Sequence, residues 1–336
     1  KIHLGKTINI RFLTNDKQTD SIYRSRYIDP SLHIASQDLK PILSYWHGEP
    51  NPGHRYMLND FIHPLIGLDG EVLTEAHPKD HRHHRGIFWA WVRHEIAGKK
   101  IGDWWHPRFI IAEPGKIDFG DGPVFSHFRA GHYWINQPKG GKNAKRFVEE
   151  QVRCRVFETT STGRAIDMDL TLTALVDGVR IGGTLELNKG YGGFTIRFNR
   201  AKNAVIEADG KIVEEAVVNH LRAHWVDWSG DFASKKGKLS PPRTNTSPQS
   251  SGAAFFVHPS HPDLPPEWIT RKYGILNVSY PGLSMLGLSK GKPLRLHYRI
   301  WVHRGDAKQG RVADHYRAYA ADWKWFPVVG KLVGKD

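Results

Sequence analysis

Residues 77–86 read His77-Pro78-Lys79-Asp80-His81-Arg82-His83-His84-Arg85-Gly86, which puts four imidazoles, two guanidiniums and a carboxylate into ten positions. Histidine changes charge near neutral pH and is the commonest metal ligand. The run therefore allows three readings. His81 and His83 can act as general base and acid, with Arg85 gripping a substrate carboxylate through its planar fork. Alternatively, His81 and His83 can bind a divalent metal with Asp80 or a distant residue. In the third reading they only satisfy backbone groups in a polar loop. On an extended segment His81 and His83 would share one face, and Arg82 and His84 the other.

Four further islands carry the same residue types. In Ile101-Gly102-Asp103-Trp104-Trp105-His106, Trp104 or Trp105 can form a stacking wall and Asp103 can orient a histidine. Arg197 follows the Gly192-Gly193 pair on an expected strand, with Phe194, Ile196 and Phe198 on the core face. There it needs an anion, either a structural Asp or a substrate acid. His224 and Asp227 stand in Ala223–Gly230, and His258 and His261 in Phe256–Pro262. Tyr273, near Arg271, can donate a proton if an Arg neighbour stabilises its phenolate; its default is a strand aromatic. Asp103 and Asp227 are the candidates for a hydrolase-type acid pair, which needs two carboxyls facing one cleft.

The elements that must position these residues are mostly strands. Period-two alternation marks Thr7–Leu13, Gln151–Glu158, Ala165–Val176, Val179–Leu187 and Leu294–His303. Asp-Gly pairs at 69–70, 121–122, 177–178 and 209–210 suit tight hairpins. Helical spacing is confined to Gly310–Trp323. The expectation is an all-β protein, a large antiparallel β-sandwich with few short helices and a C-terminal helix. It is expected to form one domain over 1–336, with surface loops at 138–145 and 234–251.

The chain has 336 residues, 39% hydrophobic and 24% charged, as a folded protein does. Its one cysteine, Cys154, leaves no intrachain disulfide and no thiolate-rich zinc site. No apolar run approaches the roughly 20 residues of a membrane helix. The net charge of +14 favours anionic partners. The basic runs are short and no nucleic-acid motif accompanies them, so an acidic glycan is preferred over nucleic acid. The 12 tryptophans fit sugar stacking as well as core packing. Starting at Lys1 without a signal core, the chain is expected to be periplasmic or secreted after processing.

Taken in order, these islands resemble the DUF6807 family, also called methane oxygenase PmoA. The resemblance rests on His81–Gly86 with Phe88-Trp89-Ala90 and Gly102–Trp105, on Gly192–Arg197, on Trp225–Gly230, and on His258–Ser260 through Trp268, Arg271, Tyr273 and Gly274. It spans about residues 55–325. Arg82 stands where the family commonly has Pro, and His261 where Asn is common. A membrane methane-oxidising role is rejected, since nothing here spans a bilayer. The resemblance implies a galactose-mutarotase-like sandwich and a link to carbohydrate use.

Together these readings predict a carbohydrate-active enzyme on a uronate-containing glycan, favouring lyase-type β-elimination. Arg85, Arg197 and Arg271 would bind the carboxylate, with Trp104, Trp105 and Asp227 also contacting substrate. His81, His83, His84, His224, His258 and Tyr273 would move protons, with His83, His84 and Arg85 foremost. No cofactor is required, and a divalent metal at His81 and His83 is an option. The alternatives are a glycoside hydrolase or mutarotase-like epimerase, and a non-catalytic sugar-binding module.

Overall fold

The computed structural model describes residues 21–49, 58–137, 144–232 and 250–322. The expected strand at Thr7–Leu13, most of both expected loops and Trp323 lie outside these residues.

Two nine-stranded antiparallel sheets dominate. At the centre of the first, Gly193–Arg197 pairs with Ile87–Ala90 on one side and Ile275–Val278 on the other. Phe61–Leu65 borders Ile87–Ala90, and Glu267–Arg271 borders Ile275–Val278. The second sheet is built on the long strands Phe125–Asn136, Lys145–Phe157, Gly163–Ala174 and Leu294–Arg304. A small sheet of four strands includes Arg93–Ile96 and Lys99–Gly102.

The large sheets stack through their aromatic residues. Phe194 meets Tyr298 at 4.6 Å and Phe255 at 5.0 Å, Tyr45 meets Phe128 at 4.4 Å, and Phe198 meets Trp228 at 4.9 Å. Alternation along the second sheet explains this: Val152, Cys154 and Val156 point into the core while Arg153 and Arg155 point away. The protein is thus an all-β antiparallel sandwich, as the alternation predicts. The helix Val312–Asp322 covers the outer face of the second sheet, where Val312 and Tyr319 pack on Trp225, Phe256 and Trp301.

Two sequence expectations change. The strand starting at Val179 stops at Gly182, and a short 3-10 turn, Glu186–Asn188, follows in place of strand through Leu187. The chain folds back at Gly183, where a Cβ would collide with the Gly190 carbonyl, and Thr184 N–H and Gly190 N–H close the loop on the Tyr191 and Thr184 carbonyls. The strand Gly193–Arg197 is buried at every residue, so Thr195 and Arg197 do not line a cleft. Thr195 accepts a hydrogen bond from Asn277 Nδ2 at 2.9 Å.

Candidate functional site

The His77–Gly86 segment is a compact excursion, not an extended strand. His77 N–H donates to the His84 carbonyl at 2.8 Å and closes it. Inside, His81 N–H reaches the Pro78 carbonyl at 3.2 Å and His84 N–H the His81 carbonyl at 2.9 Å, two successive tight turns. Both ends are sewn to the central strand: Glu75 N–H donates to the Arg197 carbonyl at 3.0 Å, and Arg197 N–H to the Gly86 carbonyl at 2.7 Å. Gly86 has φ +64°, and a Cβ there would press on the Ile62 carbonyl, so only glycine ends the turn this closely.

The turns overturn the two-face expectation and gather the three imidazoles. His81 stacks on His84 with centroids 4.7 Å apart, and His83 meets His84 edge-on at 4.5 Å. Tyr273 stacks on His81 at 5.3 Å. On the other flank His106 lies 4.5 Å from His83. Trp105 closes the base, 5.9 Å from His84 and 5.0 Å from Tyr191. His81, His83, His106 and Tyr191 are part-exposed and Tyr273 is exposed, so this imidazole–phenol face meets solvent.

His106 is the best-oriented member. Asp103 Oδ1 accepts the His106 backbone N–H at 2.9 Å, and Oδ2 accepts Nδ1–H at 2.8 Å. A carboxylate only accepts, so Nδ1 carries a hydrogen, and Nε2 is the nitrogen left to exchange a proton with a substrate. That is the orienting arrangement of an acid–base histidine. The loop is fixed by Trp104 and Trp105 N–H groups, both donating to the Trp91 carbonyl at 3.1 Å. Asp103 does orient a histidine, as its place in the island suggested. His106 and Tyr191 were not singled out by sequence, although Asp103 and His106 stand three residues apart.

Burial first, and then neighbouring charges, keep His83 and His84 neutral. Burial, then His106, His81 and Arg85, push His83 down to about 3. Burial and neighbouring cations also hold His84 well below the usual range. Burial raises the Tyr273 phenol, with Arg271 and Arg197 only partly opposing it, so it is a proton donor and not a phenolate. Arg197 sits 4.8 Å over the Tyr273 ring.

Several expected site residues lie elsewhere or are occupied. Arg85 is 0% exposed, 4.7 Å over the Phe88 ring and 4.9 Å over the Trp104 ring, so it cannot meet a substrate carboxylate. Trp104 is equally buried and offers no stacking wall. Arg197 has its anion already, with Glu75 at 3.1 Å and Asp80 at 3.6 Å. Arg271 donates to the Val218 and Thr270 carbonyls and to Asn219 Oδ1. His224 bonds Asp209 at 2.9 Å near Tyr316, and His258 lies 5.3 Å from Tyr319; both flank the C-terminal helix. Asp227 is sealed in the second sheet, 2.8 Å from His303 Nε2, so it forms no acid pair with Asp103. Among the described residues nine tryptophans are buried, which returns most of that signal to the core.

Among the described residues, the set of three potential metal donors within 4.8 Å of one another is Asp60, His132 and Glu150. His81 and His83 are not part of it. Sequence gave no signal for this set, since its members are 18 or more positions apart.

Burial of histidine also sets acid stability. His63, His94 and His261 are held down to about 4, in each case first by burial. An unfolded chain takes up these protons near pH 6.5, whereas the folded one refuses them until about pH 4. Stability is therefore complete above pH 6.5 and drains as pH falls, by at most about 1.4 kcal/mol per pH unit for each group. Melting temperatures recorded from pH 7 to pH 4 should fall steadily; a flat profile would contradict this.

A family model described as "Family of unknown function (DUF6807)" matches residues 32–317, and the chain belongs to this family. No curated protein matches. Among solved structures, one described as "Putative kojibiose phosphorylase from human microbiome" is similar at TM-score 0.33 and 9% identity. The match covers 90% of this chain but 33% of that one, so the chain spans about a third of that protein's length. At that TM-score the likeness carries no argument about function.

Proposed function

We propose that the chain is a carbohydrate-active enzyme whose imidazole–phenol face moves protons on a sugar ring. The observation that carries this reading is the Asp103–His106 pair beside His83, with the neutral phenol of Tyr273 at the far end of the ring cluster. His106 Nε2 takes a proton, assisted by neutral His83, and Tyr273 or His81 returns one to a leaving oxygen. Tyr191 and Tyr273 replace the buried tryptophans as the flat surfaces for a sugar.

β-Elimination from a uronate-containing glycan is the reaction this set would serve. It needs one base and one acid and no pair of free carboxylates. A hydrolase needs such a pair; here Asp103 is bonded to His106, while Glu75 and Asp80 face Arg197. With Arg85 buried, the exposed Lys79 and Arg82 of the same turn are the cations available to the substrate carboxylate. The net charge of +14 supports an anionic glycan. Elimination creates a C=C bond that absorbs in the near-ultraviolet. Incubation with a panel of acidic glycans should raise that absorbance; reducing ends appearing without it would favour hydrolysis instead.

A further inference from the structure

Behind the imidazole turn, between the two large sheets, lies a second polar cluster that the proposed chemistry does not use. Asp60 precedes Phe61–Leu65 of the first sheet; His132 and Glu150 come from adjacent strands of the second. All three are 0% exposed. His132 Nε2–H donates to the His47 carbonyl at 3.0 Å. A carbonyl only accepts, so Nε2 carries a hydrogen and Nδ1 is the ring atom turned toward the two carboxyl groups. That nitrogen has no hydrogen-bond partner, yet lies 3.5 Å from Asp60 Oδ1 and 3.9 Å from Glu150 Oε1. Asp60 Oδ2 is also buried without a partner.

Lone pairs facing one another in a dry interior repel unless a proton or a metal cation sits between them. We propose that Asp60, His132 and Glu150 bind a divalent first-row cation, zinc or manganese, that clamps the two sheets together. The donor set, one imidazole and two carboxylates, suits those ions. With metal–ligand bonds of about 2.0–2.1 Å, tetrahedral donors stand about 3.4 Å apart, close to the separations seen here. The outer shell fits as well. Metal-bound histidines characteristically give their other N–H to a carbonyl, and ligating carboxylates are themselves hydrogen-bonded. Here Trp89 and Trp134 donate to the two Glu150 oxygens at 2.9 and 2.7 Å, and the Tyr45 hydroxyl donates to Asp60 Oδ1 at 2.7 Å. Asp60 adopts φ +58°, a conformation unfavourable for most side chains. The buried Arg85 guanidinium interacts electrostatically with both Asp60 and Glu150.

This inference stands apart from the sugar chemistry, and its test needs no substrate. The full chain is produced in medium containing zinc and manganese, passed through gel filtration, and assayed for metal content. About one equivalent of zinc or manganese per chain is expected, with X-ray absorption at that metal's edge reading one imidazole and otherwise oxygen neighbours. His83→Ala should retain the metal and Glu150→Gln should lose it. Less than about a tenth of an equivalent in the wild-type chain would overturn the proposal. So would a coordination shell of two or more imidazoles, because the metal would then belong to the surface histidines. The absorption measurement decides the matter even if Glu150→Gln fails to fold.

Discussion

Replacing His106 with Ala is expected to lower turnover on an acidic glycan by about 10² or more, the usual worth of a positioned acid–base group. The fold should persist, because the side chain is part-exposed and its main partner, Asp103, is also held by the chain around it. Asp103→Asn separates orientation from structure. An amide in place of the carboxylate accepts through one oxygen only, so the imidazole loses its fixed tautomer while the loop keeps its path. A large fall in kcat with little change in KM is the expected signature, as for a group acting mainly in the transition state. His83→Ala should behave like His106→Ala. Full turnover in both would remove the imidazole face from the mechanism.

Arg85→Ala should act on stability, not on substrate affinity. The guanidinium is sealed between Phe88 and Trp104, and burial brings it down to about 10 although Asp60 and Glu150 pull the other way. Removing one partner of a buried charge set typically costs about 3–5 kcal/mol, because the remaining charges lose their compensation. At roughly 2–4 °C per kcal/mol for a chain somewhat smaller than this, the melting temperature should fall by on the order of 10 °C. A substrate-gripping Arg85 would give the reverse pattern, a raised KM with an unchanged melting temperature. Calorimetry of the purified variant distinguishes the two.

These outcomes bear on how far the sequence could be read. Strand alternation such as Gln151–Glu158 marked the sandwich correctly, because burial on one face alone leaves a period of two. The imidazole run was equally visible, since so many polar side chains beside Phe88 and Trp89 have few other uses. What alternation could not show was the turn. Two reverse turns bring His81, His83 and His84 to one place, where an extended chain would have split them. Arginine burial was also invisible. Arg85 and Arg197 have the composition of ligand-binding residues, and only the packing of Phe88, Trp104 and Glu75 shows them to be occupied. The Asp60, His132 and Glu150 set has no local spacing to betray it, because strands far apart in sequence deliver its members.

The central claim is that the face formed by His83, His106 and Tyr273 performs proton transfer on an acidic sugar. Near-ultraviolet difference absorbance over a panel of uronate-containing glycans, run side by side for the wild-type chain and His106→Ala, tests it most directly. The account predicts a rise with at least one glycan for the wild type and a rate about 10² lower for the variant. No rise with any glycan, or equal rises for both proteins, would contradict it.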